Sequence, residues 1–150
     1  MKDSYMAKTI QEAFKQAQFF SDEQDYVIIK LPARAITTAA GIVAESSMPF
    51  CALIIDKDEV SLMIIKDAVE EFANRLINSQ VSDTSYRLIT IEAELDLEMV
   101  GFMATVSKAL ADANVNIMTY AAYTTDHFLV PSEKFDTAMT VLKQLQSELS

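Results

Sequence analysis

The chain has 150 residues, of which 51% are hydrophobic, and its formal charge at pH 7 is −10. This length and composition suit one globular domain or two small ones, and they exclude a disordered chain. The acidic balance argues against nucleic acid and against an anionic membrane surface as partners, because either would require a face rich in Lys and Arg. No apolar stretch approaches the roughly 18 residues that span a bilayer, and the first residues do not resemble a signal peptide, so we expect a cytoplasmic protein.

The first half of the chain predicts alternating helices and strands from the spacing of its apolar residues. In order, we expect a helix at 6–20, a strand at 26–31, a helix at 33–46, a hairpin of strands at 50–55 and 60–65, and a helix at 67–77. The strand at 50–55 is apolar throughout, which favours burial on both faces. Residues 78–85 have the composition of a linker and mark the expected domain boundary.

The second half predicts a strand, a helix and a hairpin between residues 86 and 131, followed by a last helix that begins at Pro131 and Ser132. Asp96 is expected to open the first of these helices, because its carboxylate can accept from the N–H groups that a helix start leaves free. Asn114 tolerates the left-handed conformation and is expected to close the same helix. Residues 124–126 supply the turn of the hairpin.

The two halves repeat the same order of elements. Tyr26 and Tyr86 each open a strand, and the two glycines of the chain, Gly41 and Gly101, each follow 15 positions later. This repeat predicts two related domains, each with helices on one face of a largely antiparallel sheet. The expected segments are an N-terminal helical extension at 1–24, a first domain at 25–80 and a second domain at 85–150.

Residues with catalytic chemistry are sparse. Cys51 is the one cysteine, which excludes an internal disulfide and a zinc site of several thiolates. His127 is the one histidine and neighbours Asp126 in a strand, where adjacent side chains point to opposite faces, so we expect it to be exposed or at an interface rather than part of a dyad. We therefore predict no catalytic residues, no metal site, no cofactor and no enzymatic activity.

The connection from Leu95 to Gly101 is a stronger candidate for a binding site than these residues are for a catalytic one. A strand that leads into a helix presents free N–H groups and the positive end of the helix dipole, which suits a carboxylate ligand. Gly101 either leaves room for that ligand or permits a tight contact between helix and sheet. Asp126, at the hairpin, either pairs with an ammonium or guanidinium group or stabilises the turn.

The second half resembles a known family. Beginning at Leu97, it reads LEMVGFMATVSKALADANVNIMTYAAYTTDHFLVPSEKFDTAMTVLKQL and is similar to an ACT domain of the branch shared by aspartokinases and animal cytosolic arginine sensors. The positions that carry the resemblance are Val100 and Gly101, Leu110 to Ile117, Tyr120 to Tyr123, Thr124 to Asp126, and Leu129 to Pro131. The first half resembles a degenerate partner ACT domain, as in small stand-alone bacterial proteins of this kind.

The resemblance implies an α+β fold of tandem ferredoxin-like βαββαβ domains that bind an amino acid and act as an allosteric sensor. The ligand-binding positions that it implies are Leu97, Glu98, Met99, Val100, Gly101, Tyr120, Ala121, Ala122, Tyr123 and Asp126. Asn114 and His127 depart from the family pattern, in which a glycine and an aromatic or apolar residue are usual. We expect a homodimer and an enzyme partner, and the alternative is a ligand-free module for protein interaction.

Overall fold

The computed structural model describes residues 9–93, 95, 96 and 98–150. Among these residues, no helix has both the length and the apolar composition needed to cross a membrane. The described α-helices are α1 Ile10–Gln16, α2 Ile36–Glu45, α3 Ala68–Glu71, α4 Phe102–Asp112 and α5 Phe135–Leu149. Short 3₁₀ turns, Ala33–Ala35 and Ser132–Lys134, lead into α2 and α5.

The described strands pair antiparallel in every pairing whose register is defined. In chain order they are β1 Gln18–Phe20, β2 Asp25–Pro32, β3 Ala52–Ile55, β4 Glu59–Ile65, β5 Gln80–Val81, β6 Tyr86–Glu92, β7 Met118–Ala121 and β8 Asp126–Pro131. The predicted α+β class with an antiparallel sheet is confirmed. The chain divides into two compact units, Asp22–Tyr86 and Arg87–Ser150, the second together with the described residues before Asp22.

The unit Asp22–Tyr86 places β4 between β2 and β3, while β5 also pairs with β2. Alternate residues of β2 and β4 face α2 and the segment that follows α3, which gives this unit its own core. The buried members of that core are Val27, Ile29, Leu31, Ala39, Ile42, Val60, Leu62, Ile64, Phe72 and Leu76.

The other unit places β8 between β6 and β7, and β1 pairs with β6. One face of these strands packs against α1, α4 and α5. The buried residues of this core are Ala13, Phe14, Ala17, Ile89, Ile91, Ala93, Phe102, Val106, Leu110, Val115, Phe128, Val130, Ala138 and Leu142.

Asn114 ends α4 as predicted. Its φ of 57° is left-handed, and the N–H of Val115 reaches back to the carbonyl of Leu110 at 2.9 Å. The N–H of Asn114 donates to the carbonyl of Ala111 at 2.9 Å, which completes a Schellman motif and satisfies carbonyls that the helix end leaves free.

The predicted helix at 6–20 is too long. Its first residues, Met6 among them, lie outside the described part, α1 ends at Gln16, and residues 18–20 form β1, with Gln18 opposite Glu92 and Phe20 opposite Thr90. A side chain fixes the change from helix to strand, because the amide of Gln146 donates to the carbonyls of Phe14 and Ala17 at 2.7 and 2.8 Å.

Three expectations for the first unit are also wrong. The helix expected at 67–77 is regular over α3 alone and continues as turns. The strand expected at 50–55 is not buried on both faces, since β3 pairs with β4 along one edge and leaves Ile54 and Ile55 each 48% exposed. The expected linker at 78–85 contains β5, which extends the sheet beside β2.

We predict that Gln146→Ala lowers the free energy of unfolding by about 1–3 kcal/mol, because two part-buried carbonyls lose their donor. Gln144→Ala is the matched control, since that amide donates to Glu148 on the exposed surface of the same helix and contributes only about 0.2–0.5 kcal/mol. Urea denaturation of both variants measures the difference, and equal losses would contradict the role assigned to Gln146.

Candidate functional site

The connection between β6 and α4 is longer than expected. Asp96 does not open the helix: its Oδ1 accepts from the N–H of Glu98 at 2.9 Å, and its carbonyl accepts from the N–H of Met99 at 2.9 Å. Asp96 therefore stabilises a turn within the connection. The helix α4 begins only at Phe102, so the chain has room to bend between the strand and the helix.

Gly101 is the residue that starts α4. Its φ of +95° lies in the left-handed region, and a Cβ at this position would stand 3.3 Å from Cδ1 of Ile10. The backbone conformation therefore requires glycine, and the missing Cβ permits the close contact with α1. The contact between helix and sheet, which was one alternative from the sequence, does not explain this glycine. Gly41 lies inside α2, so the two glycines of the apparent repeat are not structurally equivalent.

The start of α4 has no side-chain cap among the described residues. The first helical hydrogen bond runs from the N–H of Thr105 to the carbonyl of Gly101 at 3.0 Å, and the Thr105 hydroxyl donates to the same carbonyl at 2.9 Å. The N–H groups of the first turn, from Phe102 to Ala104, therefore keep the capacity to bind an anion.

The hairpin of β7 and β8 faces this helix start. Tyr120 pairs with His127 and Ala121 with Asp126, and the N–H of Ala122 closes the turn by donating to the carbonyl of Thr125 at 2.9 Å. Asp126 thus lies at the first position of β8, one step from the turn, instead of in the turn itself.

A cavity of about 290 Å³, here called the helix–hairpin cavity, separates the start of α4 from the hairpin turn. Six predicted positions line it: Met99, Gly101, Ala121, Ala122, Tyr123 and Asp126. Leu95 and Asp96 also line it; they belong to the connection for which binding was predicted, although neither was named as a ligand position. The sequence missed five others: Phe102, Met103, Ala104, Thr124 and Thr125. From the sequence, Asp96 was expected only to open the helix and Thr125 only to form the turn. Each is a polar residue next to a predicted ligand position, and that was a sequence signal for a role in binding.

The remaining predicted positions lie elsewhere. Glu98 and Val100 line a neighbouring surface groove beside Thr9 and Ile10, and Val100 is 89% exposed. This groove shares Asp96 and Met99 with the helix–hairpin cavity. Tyr120 is in β7, before the part of the hairpin that reaches the cavity. Leu97 lies outside the described residues.

The charges around the helix–hairpin cavity are acidic. Asp96 and Asp126 line it, and the described lining residues include no Lys or Arg. Burial raises the pKa of Asp126, and the neighbouring His127 partly opposes that shift. Since the folded protein disfavours the ionised form of Asp126, this group reduces stability as the pH rises from its unfolded pKa through its higher folded pKa. A cationic ligand group would relieve that cost.

His127, which was predicted to be exposed or at an interface, is half-buried. Its Nδ1 lies 2.8 Å from the hydroxyl of Thr90, a buried residue of β6, and its Nε2 lies 3.1 Å from the hydroxyl of Thr125. Burial lowers the pKa of His127, which favours the neutral ring. The ring connects β8, β6 and the hairpin turn, so it supports the wall of the helix–hairpin cavity. In the part of the chain that the structure describes, no three His, Cys, Asp or Glu side chains cluster as a metal site.

The ACT domain family model matches residues 81–144, which include α4, the hairpin and the helix–hairpin cavity. This part of the chain is similar to an ACT domain. The predicted resemblance is therefore confirmed. ACT domains are regulatory modules that bind amino acids.

Two curated relatives match about three quarters of this chain. The chain is 23% identical over 113 residues to the rat (Rattus norvegicus) protein named cytosolic arginine sensor for mTORC1 subunit 1, covering 75% of this chain and 34% of that protein. The bovine (Bos taurus) protein of the same name is 24% identical over 112 residues, covering 74% and 34% of the two chains. The chain thus spans about a third of the length of the curated relatives that it matches.

Solved structures share the fold of most of this chain. A Vibrio cholerae protein of unknown function superposes with a TM-score of 0.72 at 18% identity, covering 91% of this chain and 95% of that chain. The ligand-free regulatory subunit of aspartate kinase from Thermus thermophilus gives a TM-score of 0.65 at 15% identity, covering 86% and 95%. At these identities the likeness establishes the fold.

We predict that Gly101→Ala destabilises the protein by about 1–2 kcal/mol or more, because alanine is strained at φ +95° and its Cβ would crowd Ile10. Gly41→Ala is the matched control and should raise stability by about 0.5–1 kcal/mol, since a Cβ in the middle of α2 would meet Arg75 at an ordinary 3.8 Å. Thermal unfolding by circular dichroism measures both, and the same sign for the two variants would contradict the assigned role of Gly101.

Proposed function

We propose that this protein is a regulatory sensor that binds a free amino acid in the helix–hairpin cavity and catalyses no reaction. The observation that supports this proposal most is the pairing of opposite electrostatic features across one small cavity. The uncapped start of α4 forms one side, and the carboxylates of Asp96 and Asp126 lie on its lining. An amino acid with a basic side chain carries one carboxylate and two cationic groups, which matches this arrangement.

The carboxylate of the ligand would bind at the start of α4. The N–H groups of Phe102, Met103 and Ala104 line the cavity, and the helix dipole adds to their effect. An anion at such a position is stabilised by about 0.3–1 kcal/mol when exposed and by up to ~2 kcal/mol when partly buried. Since no side chain in the described part of the chain caps this helix, the ligand would displace none of those side chains.

The cationic groups of the ligand would pair with Asp126 and Asp96. Asp96 uses one oxygen, Oδ1, in its turn, which leaves the other oxygen for a ligand donor. Asp126 is half-buried, so a ligand without a cationic group would leave its carboxylate unpaired at a cost of about 1–3 kcal/mol. The cavity volume of about 290 Å³ lies at the lower end of small-molecule sites, which suits one amino acid better than a nucleotide.

The proposal assigns no catalytic residue. Both ring nitrogens of His127 face threonine hydroxyls, so the imidazole acts as a support for the hairpin rather than as a general base. The carboxylates of Asp96 and Asp126 act as ligand acceptors. The ligand would leave the site unchanged, and its effect would be transmitted to a partner.

We also propose the wider organisation that the sequence predicts, namely an extension at 1–24, a degenerate ACT-like domain at 25–80 and an ACT domain at 85–150. Support comes from the similarity of solved regulatory subunits across most of this chain. The protein would act in the cytosol as a homodimer and would regulate an enzyme in trans. The similar proteins, which include a cytosolic arginine sensor and an aspartate kinase regulatory subunit, favour that role.

A ligand-free interaction module is the second candidate. It is favoured by two side chains near the helix–hairpin cavity, Val100 and Tyr123, which are 89% and 83% exposed and would suit burial by a partner. The two functions respond differently to concentration. A ligand raises the melting temperature with its own concentration at a fixed protein concentration, whereas an interaction module responds to protein concentration alone.

We predict that Asp126→Asn has two opposite effects in a thermal-shift titration with the twenty amino acids. Without ligand, the variant should melt at a higher temperature at pH 7, because it removes a carboxylate whose ionised form is disfavoured by burial. With a basic amino acid, it should lose most of the ligand-induced shift, since the ligand's cation loses its partner.

Asp83→Asn is the control for the charge change, because Asp83 is exposed in the loop after β5 and lies outside the helix–hairpin cavity. It should keep the full ligand shift. An unchanged response of the Asp126 variant to basic amino acids would refute the assignment of Asp126, and the absence of a shift for any amino acid in the original protein would favour the interaction module.

A further inference from the structure

A second cleft, of about 590 Å³, lies in the unit Asp22–Tyr86 and has the opposite charge character. It opens between the start of α2 and the turns that follow α3. Its polar lining consists of two guanidinium groups, two hydroxyls and two amides, contributed by Arg34, Arg75, Thr37, Thr38, Asn74 and Asn78. We call it the arginine cleft.

The composition of the arginine cleft is unusual for this chain. The protein has 22 Asp and Glu against 12 Lys and Arg, yet the described residues that line this cleft include no Asp or Glu. Two of the chain's three arginines, Arg34 and Arg75, line it. Guanidinium groups bind carboxylate and phosphate in a planar, bidentate geometry, so two arginines in one cleft favour an oxyanion ligand.

Arg75 is held in position for such a ligand. Its Nη1 and Nη2 donate to the two carboxylate oxygens of Glu45 at 2.9 and 2.8 Å, and its guanidinium lies 5.8 Å from the centre of the Phe72 ring. A guanidinium has five N–H donors, of which Glu45 takes two, so three remain for another acceptor. Because the side chain is already ordered, binding a ligand costs less conformational entropy.

The start of α2 adds to the positive character of the cleft. Thr37 and Thr38 lie in its first turn, where the helix dipole favours an anion. The N-cap residue is Ala35, and no side chain among the described residues caps the helix. Arg34, immediately before, is exposed and able to approach a ligand from the solvent side. Leu31 and Ile77 give the cleft an apolar wall beside these groups.

From this arrangement we infer that the arginine cleft is a second binding site, separate from the helix–hairpin cavity, for a small molecule that carries a carboxylate or phosphate group. The hydroxyls of Thr37 and Thr38 and the amides of Asn74 and Asn78 would supply neutral hydrogen bonds around the anion. The site does not depend on the ligand of the helix–hairpin cavity.

The test is a titration of the ¹⁵N-labelled full chain with inorganic phosphate and, separately, with succinate, at constant ionic strength set by sodium chloride. We expect saturable shifts of the amide signals of Thr37, Thr38 and Arg75 with at least one of the two anions. Phosphate alone would identify a phosphate ligand, succinate alone a carboxylate ligand, and both a general oxyanion site. The absence of saturable shifts with either anion would overturn the inference.

Three glutamine variants distinguish binding at a specific site from a general effect of the protein's charge. Arg34→Gln removes an exposed cation, and Arg75→Gln removes the guanidinium that Glu45 orients; each should weaken binding about tenfold or more. Arg87→Gln is the matched control, because Arg87 is the third arginine and lies over the Phe135 ring in the other unit. Its affinity should be unchanged, and an equal loss in all three variants would contradict the site.

Discussion

Gly101 turns the chain into α4 through a φ of +95°, a conformation that costs glycine little and other residues about 1–2 kcal/mol. This one turn delays the helix until Phe102 and leaves its first N–H groups without a side-chain cap. The same residue lets α1 approach, because a Cβ at this position would stand only 3.3 Å from Cδ1 of Ile10. The ring centres of Phe14 and Phe102 lie 4.8 Å apart. The side of the helix–hairpin cavity that we propose to bind the ligand's carboxylate therefore depends on a backbone conformation beside which α1 packs.

The other side of the cavity illustrates a conflict between stability and binding. Burial raises the pKa of Asp126, so its ionised carboxylate reduces the stability of the ligand-free protein at neutral pH. An amide at this position would not carry that cost. In the proposed function, the cationic group of a ligand offsets this loss of stability when it binds. The hydroxyls of Thr90 and Thr125 bond to the two ring nitrogens of His127 and so stabilise the hairpin next to Asp126.

Much of this fold could be predicted from local sequence. The strands 26–31 and 86–91, the helix end at Asn114 and the hairpin after it follow from periodicity and turn chemistry, which act within a few residues. The failures have two causes. Asp96 looks like a helix cap, yet the positive φ of Gly101, a few residues later, sets the helix start. The helix at 6–20 gives way to β1 because Gln146, far along the chain, bonds to its end. The cavity was predicted in part, since its hairpin wall was evident but the places of Glu98, Val100 and Tyr120 depend on how the connection bends in three dimensions.

The most direct measurement of the central claim is an amide chemical-shift titration of the ¹⁵N-labelled protein with arginine and with lysine at pH 7. The account predicts saturable shifts concentrated in Phe102–Ala104 and Ala121–Asp126, with the signals of β3 unchanged. Saturable shifts confined to other parts of the chain, or none at millimolar concentrations of either amino acid, would contradict amino-acid binding in the helix–hairpin cavity.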